Sequence, residues 1–61
     1  MPEAILVHIT VLDGKTVKTT WRDERKDAKR AEELFRYEGA DKVKIFHGST
    51  LGKYRIVGWW K

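Results

Sequence analysis

One amphipathic stripe, Ala28, Ala31, Leu34 and Phe35, lies between two pairs of alternating segments, and this arrangement bounds what the chain can fold into. The stripe recurs at helical spacing, whereas the flanking segments alternate apolar and polar residues as strands do. A single helix covers one face of a four-stranded sheet and leaves the other face bare. At 61 residues, 1–61 form one domain, near the size at which folding buries only roughly 60% of the unfolded chain's surface. A deep catalytic cleft is not expected at that size, and the chain reads as a binding module rather than an enzyme. There is no cysteine, which removes disulfides, thiolate zinc sites and cysteine nucleophiles together.

The first strand, β1, is expected over Ala4–Leu12, with Ile5, Val7, Ile9 and Val11 on one side and Leu6, His8 and Thr10 on the other. Two turns fit the "LDGK" that follows. A two-residue Asp13-Gly14 hairpin sets Ile9 beside Lys18 and Val7 beside Thr20, mixing apolar with polar residues. A three-residue loop with Gly14 as a bulge pairs Ile9 with Val17, Val7 with Thr19 and Ile5 with Trp21, which keeps one face apolar. The second register is expected, with β2 over Lys15–Trp21. Asp23 then serves as N-cap of a helix running to about Glu38. Gly39 ends that helix and folds Ala40 back on Phe35. A third strand, β3, follows at Lys42–His47, and a fourth, β4, at Lys53–Lys61 buries Tyr54, Ile56, Gly58 and Trp60.

The expected fold is α+β: a ββαββ chain forming a four-stranded sheet of order 2-1-4-3 with one helix packed on one face. The apolar β1 is central and the lysine-bearing β2 and β3 are guarded edges. In length and element order this resembles the one-helix β-grasp immunoglobulin-binding domains. The resemblance rests on topology, without a shared sequence motif.

The stretch "HGSTLGKY", His47–Tyr54, offers glycines, hydroxyls and a lysine, but it is not a phosphate loop. Gly48 and Gly52 enclose three residues rather than four, Lys53 precedes Tyr54 rather than Ser or Thr, and a strand pattern follows where a helix is needed. It reads as a hairpin connection. His8 and His47 fall on opposite sides of the sheet and cannot share a metal, and Ser49 has no base near it in the chain. No metal and no cofactor are expected. The longest apolar stretch, Ala4–Val7, is too short to cross a membrane and no basic leader precedes it, so no membrane partner and a cytoplasmic location are expected.

The formal charge is +4. Arg22–Glu38 holds six basic and six acidic residues, so the whole excess lies outside the helix, on Lys15, Lys18, Lys42, Lys44, Lys53, Arg55 and Lys61 against Glu3, Asp13 and Asp41. By alternation the bare face presents Leu6, His8, Thr10, Lys18, Thr20, Lys42, Lys44, Phe46, Arg55, Val57 and Trp59, while Trp21 and Trp60 face the helix. Pairing Ile45 with Ile56 sets Phe46 against Arg55 and Trp59 against Lys42, geometry suited to cation–π contact. Such a basic, aromatic surface fits a protein partner or a homodimer contact, with Trp and Arg as anchors. It equally fits nucleic acid, bases stacking on the rings while lysines follow the phosphates.

Overall fold

The computed structural model describes residues 6–48 and 51–61; the expected Ile5–Trp21 pairing and Ser49 lie outside them. Its elements are β1 (Val7–Leu12), β2 (Lys15–Arg22), α1 (Arg25–Tyr37), β3 (Lys42–His47) and β4 (Tyr54–Trp60). They form one open antiparallel sheet with one helix, an α+β fold.

The strand order is β1-β2-β4-β3, not 2-1-4-3. β2 pairs with β4, and β1 is an edge. The β1–β4 neighbourhood on which the grasp-like order rested is therefore replaced by β2–β4. The hairpin register is corrected with it. Asp13 (φ 53°) and Gly14 (φ 76°) both adopt left-handed backbone, the geometry of a two-residue hairpin whose twist matches its strands. Val7 pairs with Thr20, Ile9 with Lys18 and Val11 with Thr16. The bulged register is expected on the premise that the Val7-Ile9 side of β1 belongs to the core, where it sets Ile9 beside Val17 rather than Lys18. That premise fails because α1 touches β4, β3 and β2 but not β1, so the apolar row of β1 overhangs the core instead of joining it.

The core is small. Ala28, Ala31 and Phe35 of α1 pack on Ile56, with Ala40, Val43, Ile45, Tyr54 and Trp60 around them. Two alanines let the helix lie close to the sheet, and Phe35 meets Trp60 edge to face at 5.3 Å between ring centres, a favoured aromatic geometry. Thr20, 2% exposed, is the buried polar residue among those described. Its Oγ1 donates to the Leu6 carbonyl at 3.0 Å and accepts from Arg22 Nη1, so its burial leaves nothing unpaired.

The helix ends as expected. Gly39 (φ 97°) takes the left-handed position; its N–H donates to the Arg36 carbonyl and that of Ala40 to the Phe35 carbonyl, each at 3.0 Å. This is the Schellman pattern. Its start differs: Glu24, not Asp23, occupies the N-cap and makes no side-chain cap bond. The Asp23 carboxylate instead accepts from the Lys53 N–H at 3.4 Å, tying the start of the helix to the β3–β4 connection.

Candidate binding face

None of the four strands contains an aspartate or glutamate, although together they carry Lys15, Lys18, Arg22, Lys42, Lys44 and Arg55. Among the described residues the acids sit in the helix and the connections between elements. Side-chain alternation divides these cations between the two faces. Opposite Trp60, Gly58, Ile56 and Tyr54 on the helix side stand Thr16, Lys18, Thr20 and Arg22 of β2. The bare side therefore carries Lys15, Val17, Thr19 and Trp21 of β2 with Arg55, Val57 and Trp59 of β4 and Lys42, Lys44 and Phe46 of β3.

The sequence-based placements along β2 change: Thr20 moves to the buried helix side, and Val17 and Thr19 move to the bare face. Lys18 lies on the helix side, where Nζ donates to Glu38 Oε1 at 3.1 Å and sits 4.9 Å from the Trp60 ring centre. Trp21, expected under the helix, is on the bare face, in one row with Arg55 and Phe46. These errors come from β2 being read one residue out of register, which exchanges its faces. The signal that would have avoided them was the Asp13-Gly14 pair itself, a strong local hairpin signature. It also places Lys15, not singled out from the sequence, on the bare face.

The β3–β4 half of the face is as expected. Ile45 pairs with Ile56 on the helix side. On the bare side Arg55 lies over the Phe46 ring at 4.7 Å and Lys42 beside the Trp59 ring at 5.7 Å. Lys15, Lys42 and Trp59 line a shared shallow hollow whose other walls are Asp41, Trp60 and Lys61. Asp41 is held by its N–H to the Trp59 carbonyl at 2.7 Å and pairs with Lys61 at 3.6 Å.

Three rows cross this face. Trp21, Arg55 and Phe46 make one; His8, Thr19, Val57 and Lys44 the next; Thr10, Val17, Trp59 and Lys42 the third. The two ring-bearing rows are four residues apart along β4, about 13 Å at ~3.3 Å per residue. Val57 between them is only 6% exposed, so it forms floor rather than a projecting anchor. Leu6 precedes β1 at the far margin of the face, and His8 shares the middle row from the edge strand.

The β3–β4 connection is a hairpin leading into β4. Gly48 (φ 80°) donates its N–H to the Lys53 carbonyl at 3.1 Å. Gly52 passes close to β2, where a Cβ would stand 3.1 Å from the Arg22 carbonyl oxygen and 3.2 Å from Trp21 Cβ. His47 packs edge to face on Tyr54, with ring centres 4.9 Å apart on the helix side, away from His8. Among the described residues no group of three potential metal ligands comes together, and no helix is long and apolar enough to cross a membrane. Comparison with known protein families, curated proteins and solved structures returns no match to this chain.

Proposed function

We propose that the chain is a non-enzymatic binding module whose bare sheet face takes up single-stranded nucleic acid. One observation carries this reading: Trp21, Phe46 and Trp59 share a face with Lys15, Lys42, Lys44 and Arg55, and no strand supplies a carboxylate to oppose a polyanion. Rings on an uncovered sheet accept bases of any sequence, each stack contributing about 1–3 kcal/mol, while cations follow the phosphates. Stacking on surface rings needs bases that are unpaired and splayed out, which favours a single strand over a duplex.

The same face also carries the protein-contact reading, with Trp59 and Arg55 as anchors. The burial of Val57 removes one of the apolar residues that reading relied on, and Trp21 adds a third ring to the cationic face, so the polyanion reading is preferred. Titration of labelled single-stranded and duplex oligonucleotides, followed by tryptophan fluorescence at two salt concentrations, tests it. Quenching by single strands is expected, with a log–log salt slope no steeper than about −3, the value for four phosphate contacts. Absence of quenching at low salt would reject it.

A further inference from the structure

Among the described residues β1 is an edge of the sheet, and it lacks the protection seen at the opposite edge. Strand β3 carries Lys42 and Lys44, whereas Val7–Leu12 contains no aspartate, glutamate, lysine, arginine or proline, the residues that normally blunt an edge. Six residues span about 20 Å of unpaired backbone. The helix-side row of this strand is uncovered as well: Val7, Ile9 and Val11 are 43%, 57% and 66% exposed. Leu34, 53% exposed, lies one turn before Glu38 on the same flank of α1. Glu38 holds Lys18, the residue paired with Ile9, so that flank of the helix borders the overhang. An apolar ledge of four aliphatic side chains thus adjoins a free strand edge. Contiguous patches of this kind, unlike single exposed apolar residues, mark interaction sites.

We infer that a second copy of this chain occupies the ledge, its β1 pairing antiparallel with this β1 about a two-fold axis. Charge is the first argument. Each chain carries +4, and β1 is the edge along which two such chains meet without setting like charges side by side; joining through β3 would bring the Lys42 and Lys44 of one copy beside those of the other. Self-complementarity is the second. An isologous contact needs one surface that fits itself, and antiparallel pairing of β1 with β1 keeps both Val7-Ile9-Val11 rows on the helix side, where they lie next to each other between the two Leu34 flanks. Among the described residues α1 packs against β4, β3 and β2 rather than β1. The product is an eight-stranded sheet with both helices on one side and both bare faces on the other. This inference does not depend on what the bare face binds.

Sedimentation velocity from about 10 µM to about 1 mM covers the range in which an interface of less than standard size equilibrates. The wild-type chain is expected to dimerise, with dimerisation weakened at least about tenfold in Ile9→Lys and Val11→Lys, a loss typical of placing charge in an apolar contact, and unchanged in Trp59→Ala. Circular dichroism establishes that each variant is folded. For a readout independent of the lysine variants, a spin label on Thr10→Cys, the sole cysteine of that chain, is expected to report a short inter-label distance, because paired strands lie about 4.8 Å apart. A chain that stays monomeric throughout, a dimer that survives both lysine substitutions, or a dimer without the short distance overturns the inference.

Discussion

The Trp60 indole lies over Gly58. A Cβ built on Gly58 would stand 2.8 Å from Cη2 and Cζ3 of that ring and 2.9 Å from Phe35 Cδ2. The two residues lie two apart on one strand and share its helix side, so the missing side chain is what lets the indole lie back against Phe35. The Trp60 Nε1 also donates to the Glu38 carbonyl at 3.3 Å, joining β4 to the end of the helix.

Gly58→Ala is therefore expected to destabilise the fold by about 1–3 kcal/mol, the usual cost of overfilling a packed site. Here the clash falls on two ring systems held by each other. The midpoint of chemical denaturation measures it, and an unchanged midpoint would show that the rings have room to yield.

The three tryptophans are expected to divide by face. Trp60→Ala removes the edge-to-face partner of Phe35 and costs about 3–5 kcal/mol, enough to unfold a domain this small. Trp59→Ala and Trp21→Ala leave the core intact and shift stability by about 1 kcal/mol or less. Thermal melts of the three variants side by side distinguish this from equal destabilisation.

Binding is expected to show the reverse pattern. Trp59→Ala and Trp21→Ala each weaken single-strand binding by about 1–3 kcal/mol if each ring stacks one base. Lys44→Ala lowers the magnitude of the salt slope by roughly 0.7, whereas Lys18→Ala, on the helix side, leaves it unchanged. Fluorescence anisotropy across a salt series separates the two lysines.

Gly14→Ala puts a Cβ on a residue at φ 76° and is expected to cost about 1–2 kcal/mol. The cost is conformational, since no atom beyond the adjoining residues lies within 4 Å of the added carbon. Because this turn fixes which face β2 presents, the variant also tests register: amide exchange along β1 and β2 is expected to accelerate before that along β4.

What the sequence by itself determined was local. Alternation along Lys42–His47 and Tyr54–Trp60 fixes which residues share a side, and one apolar pair, Ile45 with Ile56, then fixes the register. The contacts of Phe46 with Arg55 and of Trp59 with Lys42 follow from it. The glycine closure of α1 is equally local, because Phe35, Gly39 and Ala40 lie within one six-residue stretch.

The tertiary structure alone decided which strands the helix would cover. The apolar row of β1 reads as core only if a helix lies above it, and a single 13-residue helix seated by Ala28, Ala31 and Phe35 on Ile56 does not reach that far. With β1 at the edge, the Asp13-Gly14 hairpin carries no burial penalty for setting Ile9 beside Lys18, since that lysine reaches Glu38 and the isoleucine remains exposed. Trp21 then turns to the bare face and Thr20 inward. Alternation is a property of neighbours in sequence, whereas cover by the helix is settled by Ala28, Ala31 and Phe35 meeting Ile56, residues far apart in a chain too small to bury all its apolar side chains.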